Sequence, residues 1–151
     1  MMIFSWNIRG LNSQSRQIIV RSWVVSNKLL VGSFLEIHVE KENAATVLAS
    51  TLPGWRMDNN YWCSEMGRIW LVWDPSVYVL VFKKLQQMIL CSLKVSGTYK
   101  ISAAAFVYEK NNEVERRVFW DEISSLAITS PFNKTLWVIL GDLNQILTTA
   151  E

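Results

Sequence analysis

Four apolar runs in this 151-residue chain end on side chains that could do phosphate chemistry. Ile3, Phe4 and Trp6 lead into Asn7, the run from Leu29 to Leu35 leads into Glu36, and Ala103 to Val107 leads into Tyr108-Glu109-Lys110-Asn111. Leu136 to Leu140 opens onto Gly141-Asp142-Leu143-Asn144. A carboxylate at the end of a buried run is costly unless it is hydrogen-bonded, paired or bound to a cation. Carboxylates and amides without a cluster of Cys or His suit a hard cation and the phosphate groups it handles. Asp142 and Asn144 share one face if the backbone stays extended. There an Asp that accepts a proton would stand beside an Asn that donates to a phosphate oxygen.

Each residue also has a plainer reading. Asn7 is a common turn former, and Asp142-x-Asn144 also fits a β-turn. Glu36 could sit on a wetted rim, and Tyr108 could edge a core with its hydroxyl in water. His38, the single histidine, invites a general-base role. We read it as a supporting residue beside Glu36, because one histidine at a strand exit is thin evidence for catalysis. The Trp residues read as core or surface-covering aromatics.

The elements that must position these residues follow from hydrophobic patterning. Strands are predicted at Met2 to Ile8, Leu29 to Ile37, Trp55 to Asp58, Asn60 to Ser64, Arg68 to Trp73, Tyr78 to Lys83, Gln86 to Lys94, Lys100 to Tyr108 and Leu136 to Leu140. Helices are predicted at Ser15 to Asn27, Lys41 to Leu52 and Glu113 to Thr129, the last capped by Asn112. Asp74-Pro75-Ser76 reads as a hairpin turn. The order is β-α-β-α, a run of antiparallel-looking strands, then α-β, which predicts one layered α/β domain over residues 1–151.

Half of the residues are hydrophobic and the net charge is +2, so composition points to a packed globule and charge alone gives no nucleic-acid footprint. The pairs Lys83-Lys84 and Arg116-Arg117 read as solvated surface. Cys63 and Cys91 lack metal-type spacing and read as reduced thiols, one of them buried, with no disulfide partner. The start lacks a secretory n-region and no run is long enough for a bilayer. A nuclear or cytoplasmic protein is expected, neither secreted nor partnered with a membrane.

Five motifs occur in register along the chain: Ser5-Trp6-Asn7-Ile8-Arg9-Gly10-Leu11-Asn12, Leu35-Glu36-x-His38, Gly67-Arg68-Ile69-Trp70-Leu71-Val72-Trp73-Asp74, Tyr108-x-x-Asn111 and Gly141-Asp142-Leu143-Asn144. Each is weak alone. Together they resemble the endonuclease/exonuclease/phosphatase superfamily, and within it the N-terminal endonuclease domain of plant non-LTR (LINE-type) retrotransposons. The resemblance implies a DNase I-like α/β sandwich that hydrolyses phosphodiesters with Mg2+, or Mn2+ in its place, and nicks target DNA. It implies Glu36 as the principal metal ligand and Asn7 as a residue that helps hold the metal or its water. Tyr108 would hydrogen-bond the scissile phosphate, with Asn111 and His38 in support. Asp142 would orient or deprotonate the attacking water, and Asn144 would donate to the phosphate oxygens.

The sequence departs from that pattern at Ile37, where Thr is usual, and at Glu109, where a small residue is common. Family domains also continue past the Gly-Asp-x-Asn turn to a closing Ser-Asp-His segment that these residues do not include. The expectation is an incomplete sandwich, holding the first sheet with its helices and the start of the second. It would be weakly active or inactive, with an exposed sheet edge open to self-association. Two alternatives stand beside it: a phosphoesterase of the same superfamily with a non-DNA substrate, and a non-enzymatic retroelement remnant or binding module.

Overall fold

The computed structural model describes residues 2–63, 68–95, 97, 102–109 and 112–144. Asn111 and Gly67 lie outside the described residues, as does most of the Val95-Ser96-Gly97-Thr98 turn. Eight strands are present among those described: β1 (Ile3–Asn7), β2 (Val31–Leu35), β3 (Arg56–Asn59), β4 (Ile69–Trp73), β5 (Val77–Lys84), β6 (Met88–Val95), β7 (Ser102–Tyr108) and β8 (Trp137–Asp142). They form two four-stranded sheets, ordered β1-β2-β4-β3 and β5-β6-β7-β8. The pairs β1-β2 and β7-β8 are parallel and the others antiparallel. The start of a second sheet that was expected amounts to four strands, and β8 pairs with β7 alone among the described residues.

Side-chain parity explains why the sheets stack face to face. Along β2, Val31 and Leu35 point into the sandwich and Phe34 points away; along β4, Ile69 and Leu71 point in while Trp70 and Val72 point away. The second sheet answers with Ile89, Cys91, Leu93, Ala104 and Phe106. Its opposite face, Met88, Leu90, Ala105 and Val107, takes Phe119, Ile123 and Leu126 of α3 (Glu113–Thr129). The outer face of the first sheet takes Val20 and Val24 of α1 (Gln14–Ser26) and Leu48 of α2 (Ala44–Thr51). The result is four layers, α/β/β/α. Phe34 and Trp70 are wholly buried, each stabilising the fold by roughly 1.5–3 kcal/mol. A one-residue slip would turn both to the wrong face, so the register is strongly specified.

The helices form for identifiable reasons. The β-branched residues Ile18, Ile19, Val20, Val24 and Val25 disfavour helix in α1. Trp23 nevertheless seats its ring 5.6 Å from Phe4 and 4.8 Å from Trp6, and that packing decides. Ser13 caps α1 by accepting from the Arg16 N–H. Asn112 caps α3 by accepting from Val114 and Glu115, with Glu113 and Glu115 at the positive end of the helix dipole.

Three local predictions need correcting. Residues Tyr61–Cys63 form a short 3-10 turn rather than a strand, with the Cys63 N–H donating back to Asn60 O at 3.0 Å and the wholly buried Asn60 side chain fastening the turn to Ile69 and Gln86. The helix predicted from Lys41 opens with a 3-10 turn, and its α-helical part starts at Ala44. Asp74-Pro75-Ser76 does not close a hairpin. The Asp74 N–H donates to Leu30 O at 2.8 Å, β4 is already paired on both sides, and the turn carries the chain across to the second sheet.

Candidate active site

The strand tips carrying the predicted residues lie on one rim. Parallel pairing of β1 and β2 sets Asn7 beside Leu35, one residue before Glu36. Parallel pairing of β7 and β8 sets Tyr108 opposite Asp142. Face-to-face stacking then brings the two rims together.

Their side chains bond directly. Asn7 Nδ2 donates to Glu36 Oε1 at 2.9 Å and to Asp142 Oδ2 at 2.8 Å, so one amide bridges two carboxylates from different sheets. The Tyr108 hydroxyl donates to the same Glu36 Oε1 at 2.7 Å. His38 Nε2 lies 3.8 Å from Glu36 Oε2. An extended strand is not what brings Glu36 and His38 close. Both residues have φ near 52°, and the loop curls.

These contacts set the charge states. The Asn7 amide holds the Glu36 carboxyl below the usual carboxylate range against partial burial, helped by the Tyr108 hydroxyl and by the charges of Arg9 and His38. Burial, then the hydrogen bond to Glu36 and its charge, push the Tyr108 phenol up to about 12. At neutral pH Glu36 is therefore an anion and Tyr108 a proton donor.

Two oxygens in the cluster lack a close hydrogen-bond partner. Asn7 Oδ1 is buried without a hydrogen-bond partner, a costly state for an amide oxygen unless something else binds it. Glu36 Oε2 has only the distant His38 contact. No trio of His, Cys, Asp or Glu suited to a metal occurs among the described residues, so this is not an all-protein cage. Mg2+ commonly binds through one or two carboxylates and keeps its other positions for water and substrate phosphate. The residues present fit that mode.

Asn144 is not brought into the cluster. Its backbone turns to a φ of 45° and its N–H donates to Asp142 Oδ1 at 2.9 Å, so the turn reading of Asp142-x-Asn144 holds and the extended one fails. The Asn144 side chain donates instead to the Glu109 carbonyl. Glu109 N–H donates to Asp142 O at 2.9 Å. The Glu109 carboxylate, wholly buried, lies 3.3 Å from Arg116 of α3. These bonds stitch together the tips that hold Tyr108 and Asp142. Gly141 makes the pairing close: a Cβ built there would fall 1.8 Å from the Val107 carbonyl oxygen.

Sequence reasoning missed two supporting residues. Asn60 Oδ1 accepts from the N–H groups of Arg68 at 3.2 Å and Ile69 at 2.9 Å, and its Nδ2 donates to Gln86 O at 3.0 Å, tying β4 to the second sheet. Arg16 Nη1 donates to the carbonyls of Ile8, Arg9 and Gly10 and shapes the loop after Asn7. Neither has a sequence signal beyond its residue type. Cys63 and Cys91 are free, and Cys91 is buried as expected of one thiol. No helix among the described residues is long and apolar enough to cross a membrane.

Layers and topology together define a four-layer α/β/β/α sandwich of the DNase I-like type. No family profile and no curated protein sequence matches the chain, but solved structures do. The endonuclease domain of TRAS1, a telomere-specific non-LTR retrotransposon, is similar at a TM-score of 0.72 and 9% identity, over 97% of this chain and 61% of that one. The human Nocturnin catalytic domain is similar at 0.67 and 12% identity, over 97% of this chain and 64% of that one. An endonuclease/exonuclease/phosphatase family protein from Bacteroides thetaiotaomicron is similar at 0.67 and 12% identity, over 98% of this chain and 65% of that one. The chain thus spans a little over three fifths of the length of these structures.

Proposed function

We propose that the chain is the ion-binding part of a phosphodiester hydrolase, with DNA as substrate, of the kind found in retrotransposon endonuclease domains. The observation that carries this reading is the Asn7 amide bridging Glu36 and Asp142 across two sheets, with its own buried oxygen left unpaired. Glu36 Oε2 and Asn7 Oδ1 would hold Mg2+, or Mn2+ in its place. When bound, such an ion polarises a phosphoryl oxygen and neutralises charge that develops on it.

The chain's own groups do the rest. Tyr108 keeps its proton and, by turning its single O–H from Glu36 Oε1, would donate to a phosphate oxygen and stabilise charge there. Asp142, held by Asn7 and by the Asn144 N–H, would accept a proton from an attacking water. Asn144 acts as a brace for the tips of β7 and β8. His38 remains a support for Glu36. A retroelement origin is favoured by the Trp6-Asn7-Ile8-Arg9-Gly10-Leu11 segment and by the likeness to the TRAS1 domain.

The test is nicking of supercoiled plasmid with Mg2+ or Mn2+, run beside a panel of small phosphoesters. We expect slow, ion-dependent nicking that Glu36→Gln and Asp142→Asn abolish. Hydrolysis of small phosphoesters without nicking would move the substrate assignment to the non-DNA alternative. Equal activity in the Glu36→Gln protein would defeat the reading.

A further inference from the structure

Glu109 is wholly buried, and neither of its carboxylate oxygens has a hydrogen-bond partner. Side-chain alternation along β7 carries it under α3, where Val107, two residues earlier, already packs. Arg116 meets it from the helix. Phe119, Ile123 and Leu126 form the buried stripe of α3, and Arg116 lies three residues before Phe119, on the same face one turn nearer the helix start. Its Nε is buried, lies 3.3 Å from Glu109 Oε1 and likewise has no hydrogen bond.

Stability does not call for this pair. Two desolvated charges are often no better than apolar side chains of the same volume, and Val107 and Phe119 beside them are apolar. What the pair supplies is direction. The ladder between β7 and β8 ends with Tyr108 opposite Asp142. Beyond it the Glu109 backbone makes two crossings to the other tip: its N–H donates to Asp142 O at 2.9 Å, and its carbonyl accepts from the Asn144 side chain. On the other side, the Tyr108 N–H donates to Gln87 O at 2.9 Å, just before β6. Anchoring the Glu109 side chain under α3 sets the direction in which its two backbone groups point.

We propose that Glu109 and Arg116 form a positioning pair, through which α3 sets the spacing of Tyr108 and Asp142 at the rim. This rests on the reading of the rim given above and adds the device that holds its geometry. Neither residue is assigned a contact with substrate; both act through the two bonds of the Glu109 backbone. The departure at Glu109 from the small residue common in the family that the sequence resembles is thereby matched by a partner on α3.

The experiment compares Glu109→Gln, Arg116→Met and the double variant Glu109→Leu/Arg116→Met with wild type. Arg116→Met leaves a buried carboxylate unpaired and should raise the unfolding constant about 100-fold or more in urea denaturation. The double variant removes both charges and should recover most of that loss. Hydrogen exchange, followed by NMR without substrate or divalent ion, reads the amide of residue 109 against those of the β6–β7 ladder and α3. In the double variant the residue-109 amide should exchange about tenfold faster, while the reference amides do not. In plasmid nicking with Mg2+ this variant should lose about 100-fold in kcat with KM unchanged, as misplaced catalytic groups do. Arg116→Lys, which keeps the charge, should lie closer to wild type than Arg116→Met on both measures.

Wild-type exchange at residue 109 in a stable double variant would overturn the proposal. If the double variant does not fold, Glu109→Gln is read in its place, and an unchanged ratio of residue-109 exchange to the reference amides overturns the proposal equally. Faster exchange with no nicking by the wild-type chain would leave the positioning pair standing and remove the hydrolytic reading. Nicking by wild type with equal kcat in the stable double variant would keep the hydrolytic reading and remove the pair.

Discussion

Asn7→Asp changes one atom and tests the electrostatic logic of the rim. The amide nitrogen that donates at 2.9 Å to Glu36 and at 2.8 Å to Asp142 becomes an oxygen. A hydrogen bond to a charged acceptor contributes about 1.5–3 kcal/mol, so losing both costs roughly 3–6 kcal/mol before relaxation. The new carboxylate also repels its neighbours. At ~3 Å and an effective dielectric of ~20, a full repulsion would be about 5–6 kcal/mol, more than the rim can bear. The cluster should therefore take up a proton, as close carboxylates do.

We expect a net loss of about 3 kcal/mol at neutral pH, which lowers the midpoint by roughly 6–12 °C for a domain of this size. Asn7→Ala removes the same two bonds without adding charge and should cost less. On acidification to ~pH 4 the new carboxylate of the Asn7→Asp variant can share protons with Glu36 and Asp142, and the two variants should converge. Divalent ions should stabilise Asn7→Asp more than wild type, since they bind the added charge. The assay is a thermal melt by circular dichroism across pH, with and without Mg2+. If Asn7→Asp is no less stable than Asn7→Ala at neutral pH, or if the gap does not close in acid, the bridge does not have the energetics assigned to it.

Three further outcomes are expected. Glu36 has a lowered carboxyl, so its stabilising contribution is complete above the ordinary glutamate value of about 4.3 and disappears as pH falls through the lower folded value; Glu36→Gln should flatten that acid limb in a melt-against-pH series. Tyr108 titrates at about 12, so it stabilises the fold below the ordinary tyrosine value of about 10 and that contribution is lost as pH rises from there toward 12. An ultraviolet titration should show the late-ionising phenol, which Tyr108→Phe removes while Glu36 loses a donor and its pKa rises. Asn60→Ala leaves the Arg68 and Ile69 N–H groups without their acceptor and should cost about 2–4 kcal/mol in urea unfolding; a loss under about 1 kcal/mol would mean that water replaces the crosslink.

Much of the fold was legible because hydrophobic parity is a strong constraint. The α3 prediction coincides with the observed Glu113–Thr129 and its Asn112 cap, since a capped amphipathic helix carries its own start and stop signals. Strands β1, β2 and β4 through β8 all lie where apolar runs placed them, within a residue or two at each end. Two of the failures share one cause, which is that distant partners decided local structure. Asn60 bonds to residues up to 26 positions away, and no window around it reveals a 3-10 turn. The Asp74 turn looks like a hairpin locally, but β4 finds both its partners elsewhere. At the site, Asn7, Glu36, Tyr108 and Asp142 were nameable from strand ends, and the structure brings these four together. The turn at Asn144 was left open between two backbone conformations that a sequence cannot separate, and the bond to Glu109 selected one.

Gly141 gives this architecture an unusual dependence on an absent atom. The gap between Val107 and the neighbouring strand accommodates hydrogen alone, so the span between the phenol and the aspartate one residue further on is ruled by emptiness instead of by any functional group. A saturation scan would then score a chemically mute position as harshly as the acidic one beside it. Anyone redesigning this rim for a larger substrate would have to move a strand before touching a single reactive side chain.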